Sequence, residues 1–336
     1  MIEPTLKEEL IEKVEEKKTL SGLKEILHWI GTNLKFLFIP GYVSQDLEKK
    51  RIEYEKQVSK RKFIRRLKSV LTLVGIVLIF VIITFAVFPE WLSMYTYDEL
   101  TAYPWGQWDP PSPAHPLGQT KDGRDILGRM IWGARSSITI ALPAILFSVI
   151  MGIVVGMVAG YFGGWVDSVL MRLMDILLAF PGIILLLVFI SILGAHVEFF
   201  ILAYGILGVA GYSRLIRGTV LQAKNLPYVE AAKVAGSGHL RIMFKHILPN
   251  TFQPVLISFT FDIGGIILSL AGLSFLGYGD PSMIEWGYDI AISRSNMYSA
   301  PWSMFWPGFM ILLTVLAFML MGDGLRDALD PRMKNL

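Results

Sequence analysis

The chain has 336 residues, 53% hydrophobic and 18% charged, with a formal net charge of +3 and a mean hydropathy of +0.52. Soluble domains carry about 25% charged residues and are about half apolar at most, so a single water-soluble core is excluded and a bilayer is the natural solvent. The absence of cysteine excludes a disulfide framework, a thiolate metal site and a cysteine nucleophile.

Residues 1–69 are polar and read as a cytoplasmic N-terminal extension. Residues 1–18 are charge-dense and fit a solvated helix. Leu20, Leu23, Ile26, Leu27, Ile30, Leu34 and Leu37 then recur at helical spacing among Lys24, Glu25 and Lys35. That pattern fits a helix lying in the membrane interface and equally one packed on a partner. Pro40 and Gly41 end it, and a second polar helix over 45–68 leads to the membrane.

A first span is expected over 70–88, closed by Pro89, since about 20 apolar residues cross the hydrocarbon core. Lys60, Arg61, Lys62, Arg65, Arg66 and Lys68 precede it without an acid among them, which sets the N-terminus in the cytoplasm by the positive-inside rule. Residues 89–135 then form an external loop in which Trp91, Trp105, Trp108 and Trp132 alternate with polar residues. Further spans are expected over 136–160, over 176–194 after Asp167, Arg172 and Asp175, and over 199–213, the last continuing as a helix past Arg214 and Arg217. The next loop holds Arg214, Arg217, Lys224, Lys233, Arg241 and Lys245 against the single acid Glu230, a cytoplasmic pattern. A fifth span over 252–277, an outer segment with Asp280, Glu285 and Asp289, and a last span over 302–321 complete the chain. The expected fold is all-α: a core over 136–325 and a cytoplasmic tail over 326–336, with six transmembrane helices and both termini cytoplasmic.

No G-x-x-x-x-G-K-[ST] phosphate loop and no H-E-x-x-H helix occurs, and the five histidines show no paired ligand spacing. The chain is therefore expected to bind no ATP, metal or other cofactor, and to be no enzyme. Nucleic acid is not among its expected partners. The informative stretch is 228–250, YVEAAKVAGSGHLRIMFKHILPN. On its own it reads as a short amphipathic helix over 229–235 stopped by Gly236 and Gly238, then a second helix over 240–247 stopped by Pro249. Ala231, Ala232 and Ala235 would let another surface approach, and Gly236 permits a turn with φ > 0. A docking element and an ordinary interfacial linker both fit those residues.

This stretch resembles the EAA loop of ABC importer permeases, with Glu230-Ala231-Ala232, Gly236 and Leu248-Pro249 at the family's spacing. His246-Ile247-Leu248-Pro249-Asn250 is similar to the version in the dipeptide/oligopeptide/nickel subgroup. Residues 115–135, Leu273-Ser274-Phe275-Leu276-Gly277 with Trp286-Gly287, and 322–332 resemble further signatures of that subgroup, specifically of its C-type permease. The resemblance covers about 60–336 and implies the type I ABC importer permease fold. It implies a homologous B-type permease, two cytoplasmic ABC ATPases that use ATP and Mg²⁺, and an external solute-binding protein as partners. It also implies that loop 222–250 docks on an ATPase through Tyr228, Val229, Glu230, Ala231, Ala232, Ala235, Gly236, Leu248 and Pro249. Cargo would be di- or oligopeptides, with oligosaccharides or nickel as alternatives. Leu270 and Met319 depart from the subgroup, which commonly has glutamate and asparagine there.

Two intramembrane features stand apart from the resemblance. Gly152, Gly156, Gly160 and Gly164 form a small-residue ridge for close helix approach, expected within this subunit rather than between subunits. Asp262, near the middle of the fifth span, is too costly to face lipid; it either lines the pathway or makes a structural hydrogen bond. A secondary transporter or an exporter is the rival class, and the EAA-like loop disfavours both.

Overall fold

In the computed structural model the described residues are 31, 49, 69–101 and 107–329. The expectations for 1–68 and for the tail beyond 329, like Trp105, lie outside them. The chain divides into Met1–Ile64 and Arg65–Leu336, and the membrane helices belong to the second unit. Every regular element described is helical, apart from one isolated bridge between Gln119 and Asp125.

Helix α1, Val70–Val87, starts where the Ser69 side chain accepts from the Thr72 amide, satisfying one of the orphan donors of the first turn. It buries only the stripe Thr72, Gly75, Ile79, Ile82 and Ala86; Leu71, Phe80 and Val87 point outward, as suits lipid. After a short turn at Pro89–Leu92, residues 93–101 and 107–125 fold over the outer end of α2, Ile126–Phe162.

At 37 residues α2 is about 55 Å long, well beyond the hydrocarbon thickness. It begins ten residues before the expected span because Asp125 caps it, its Oδ2 accepting from Gly128 N at 2.7 Å.

The expected third span, 176–194, is not one helix. Gly164–Leu178 (α3) and Gly182–Leu193 (α4) meet at an 82° bend. Pro181 causes it: the ring lacks an N–H for the ladder and bars Phe180 from helical geometry. Val197–Ala223 (α5) continues past Arg214 and Arg217, as expected. It packs along α2 in the most extensive helix contact of the chain.

Pro227–Val234 (α6) protrudes from the end of α5. Gln253–Leu273 (α7) runs on through a π-helical stretch at Ser274–Tyr278, and Trp286–Ser293 (α8) is a short outer helix. The last helix, Trp302–Leu329 (α9), passes 321 and carries Asp323, Arg326 and Asp327 as further helical turns, so the expected tail begins inside a helix. Among the described residues five helices are long and apolar enough to cross a membrane, and the bent pair α3–α4 would make six.

The glycine ridge is an intrasubunit joint for three of its four members. A Cβ on Gly152, Gly156 or Gly160 would collide with Tyr212, Ser213 or Val220 of α5. Gly164 has open space around it and instead begins α3 at φ +54°.

Candidate functional site

Three regions carry chemistry. In the loop over 222–250, Leu226 is extended and Pro227 occupies the first turn of α6, where its missing N–H costs nothing. The helix ends in a Schellman motif: Gly236 N donates to Lys233 O at 2.9 Å and Ser237 N to Ala232 O at 3.0 Å. Gly236 adopts φ +76°, the left-handed position this motif requires.

The expected docking set divides by orientation. Val229 and Ala232 turn inward, joining Ile242, Met243 and Ile247 in the main core, so they anchor the helix instead of presenting it. Tyr228, Glu230, Ala231, Ala235, Gly236 and Pro249 are exposed, and Leu248 is half-buried. Val234 at 90% exposure and Leu240 at 70% extend the outer face with apolar surface that sequence reasoning had not singled out.

The expected helix over 240–247 is a turn at His239–Arg241 followed by a π-helix at Ile242–Ile247. Pro249 begins a turn, Leu248–Thr251, rather than stopping one. Having no N–H to give the carbonyl four residues back, it favours the wider π-turn before it.

Several basic residues that mark this side are held in place. Arg217 forms a two-pronged pair with Asp167 at 2.5 and 2.6 Å, Arg214 meets Asp175 at 2.6 Å, and Lys224 Nζ donates to Gly160 O at 2.9 Å. These contacts tie the C-terminal end of α2 and helix α3 to α5, which leads into α6.

Within the membrane-spanning part, a cavity of about 600 Å³ opens between α2, α4, α5 and α7. Its walls are mostly aliphatic and glycine, with Ser148, Tyr204, Tyr212, Ser258, Asp262 and Ser269 supplying the polar groups. The Tyr212 phenol donates to Asp262 Oδ2 at 2.6 Å, and Tyr204 Oη donates to Ser269 Oγ at 3.3 Å. Asp262 lines this cavity and has a hydrogen-bonded neighbour in Tyr212. Leu270 is fully buried among Ile140, Phe200 and Leu273, a setting that takes an apolar side chain, whereas Met319 is exposed.

At the outer end, Arg129 of α2 and Asp289 of α8 form a buried pair. Arg129 Nη2 lies 2.6 Å and Nε 2.9 Å from Asp289 Oδ1, while Nη1 donates to Leu100 O at 3.0 Å. Trp286 Nε1 donates to Met130 O at 3.1 Å. Glu285 caps α8 by accepting from Gly287 N and Tyr288 N; burial pushes its carboxyl above the usual range, against the pull of the Gly287 N–H.

This clasp escaped sequence reasoning because Arg129 and Asp289 lie 160 positions apart. The available signal was the cluster of charges beside Trp286 in an otherwise apolar stretch. Among the described residues no group of three His, Asp or Glu side chains converges as metal ligands would.

Comparison with known proteins agrees with this arrangement. Residues 152–335 match the family described as binding-protein-dependent transport system inner membrane component. The dipeptide transport system permease protein DppC of Alkalihalophilus pseudofirmus is 39% identical over 269 residues, covering 80% of this chain and 88% of the relative. The glutathione transport system permease protein GsiD of Pectobacterium atrosepticum is 38% identical over 244 residues, covering 72% and 79%. Its Shigella flexneri namesake is 39% identical over 282 residues, covering 82% and 90%. A helical chain with membrane-length spans, matched over more than half its length by this family and over most of its length by such relatives, belongs to the binding-protein-dependent transport permeases, the membrane-spanning subunits of ABC importers.

Proposed function

We propose that this permease moves di- or oligopeptides inward, forming half of a pathway with a homologous permease. In this reading two ATPases dock on the cytoplasmic face and a solute-binding protein delivers cargo to the external face. The observation that carries it is α6: a short helix anchored inward by Val229 and Ala232 and offering Tyr228, Ala231, Val234 and Ala235 outward. Exposed apolar side chains beside small ones suit insertion into a groove. The relatives' names, dipeptide and glutathione permeases, support peptide cargo.

A polar peptide cannot cross about 30 Å of hydrocarbon unaided, so the permease pair must enclose a wet route. ATP, with Mg²⁺, closes the ATPases and draws the two docking helices together. The ion pairs at Arg214 and Arg217 pass that displacement to α3 and α5, and so to the cavity walls. The dimer then alternates between outward- and inward-open arrangements, and this chain performs no covalent step. Both termini lie in the cytoplasm under this topology.

The test is uptake by the complete importer in proteoliposomes with its binding protein. ATP-dependent accumulation of a radiolabelled tripeptide is expected. Uptake of an oligosaccharide or of nickel, with no peptide uptake, would overturn the peptide assignment.

A further inference from the structure

Asp262 Oδ2 is occupied by the Tyr212 hydroxyl, but Oδ1 makes no hydrogen bond or ion pair with any described residue. Asp262 is the charged member of the described cavity wall, and no Lys, Arg or His shares that wall. The nearest arginines along α5 are committed elsewhere, Arg214 to Asp175 and Arg217 to Asp167. An ionised carboxylate in this largely apolar wall without a compensating cation is costly, and a cation entering the cavity offsets that cost.

The wall around it has direction as well as charge. Ser258, Asp262, Gly265 and Ser269 recur on one face of α7 and all line the cavity. Together they make a polar stripe about 17 Å long. Gly211 of α5, beside which an added Cβ would meet nothing within 4 Å, keeps the opposite side open. A volume of about 600 Å³ is of the size that holds small ligands, and hydroxyls above and below the carboxylate suit the N–H and C=O groups of a short backbone.

We infer that Asp262 is a cation subsite of the pathway, its free Oδ1 accepting from a primary ammonium group of the cargo while Tyr212 holds the carboxylate in place. The ammonium is that of a peptide amino terminus or of a lysine-like side chain. This assignment rests on the peptide reading above and adds to it a residue that selects what passes.

The experiment uses the complete importer in proteoliposomes, its binding protein saturated, with three probes: trialanine, N-acetyl-trialanine and N-acetyl-Ala-Lys-Ala. Each variant is compared with wild type for the same probe, so preferences of the binding protein cancel. Asp262→Asn should lower trialanine uptake about tenfold, the scale of one charge-assisted hydrogen bond, and N-acetyl-trialanine uptake by less than about twofold. A matching loss for the lysine probe assigns the subsite to any ammonium, and its absence to the amino terminus alone; both uphold the inference. Asp262→Glu and Tyr212→Phe, which keep the charge, should keep the preference for the free amine.

Equal losses for all three probes in an assembled complex would make Asp262 only a structural partner of Tyr212 and overturn the assignment, as would no loss for any. A wild-type importer that takes up none of the probes overturns the peptide reading, and this assignment with it.

Discussion

Arg129 and Asp289 hold the outer end of the molecule together at the cost of burying two charges, with side chains 1% and 2% exposed. The geometry offsets that cost: Arg129 engages both carboxylate oxygens with three bonds and gives a fourth to Leu100 O. Breaking one side of such a pair is far worse than never having had it. Arg129→Ala, which strands Asp289, should destabilise the detergent-solubilised subunit by about 3–5 kcal/mol, whereas Arg129→Met with Asp289→Leu should recover most of that loss. Thermal denaturation of the single and double variants checks this; a double variant no better than Arg129→Ala would mean that the surrounding packing, and not the stranded charge, is what fails. Legibility at this scale follows from range. Asp262 is visible in the sequence because a carboxylate inside an apolar run is anomalous by itself. Its partner Tyr212 is not, because a separation of 50 positions hides which tyrosine the fold brings near.

Single elements announce themselves where a local rule forces the backbone. The end of α6 is such a place: the left-handed residue at C′ is a glycine, and the sequence alone marks it as a turn. No atom lies within 4 Å of a Cβ built on Gly236, so a side chain there meets no clash, only the strain of φ +76°. Gly236→Trp should therefore insert and assemble normally, yet misdirect the exposed loop from Ala235 to Leu240 by undoing the Schellman cap. The expected outcome is ATP hydrolysis that no longer responds to cargo, read as loss of solute-stimulated ATPase in the reconstituted complex; normal stimulation would show that the loop is not the coupling element. The bend before α4 was equally local in origin, since Pro181 is plain in the sequence. It was missed because counting apolar residues over 176–194 measures length and not continuity. The division of Val229 and Ala232 from Ala231 and Ala235 depends on what α6 packs against, and helical spacing alone leaves open which face turns inward.

For the whole molecule, five of the six expected spans are single helices of membrane length among the described residues, because each is a property of one contiguous segment. The open question of topology is whether α3–α4 crosses the bilayer or dips and returns, since an 82° bend fits both descriptions. Parity decides it. Lys121 and Lys233 are both exposed, and α2, the α3–α4 pair and α5 lie between them. If the pair crosses, three passages separate the two lysines and they face opposite compartments; if it returns, only α2 and α5 count and they face the same one. The chain has no native cysteine, so Lys121→Cys and Lys233→Cys each give a single reactive thiol without background. A membrane-impermeant maleimide added to intact cells should label Lys121→Cys at once and Lys233→Cys only after permeabilisation. The basic segment ahead of α1 and the basic loop around α6 then fall on one side, as the positive-inside rule requires. Labelling of both from outside would make α3–α4 a re-entrant hairpin, separate those two basic regions by the membrane, and remove the cytoplasmic surface on which α6 is proposed to meet an ATPase.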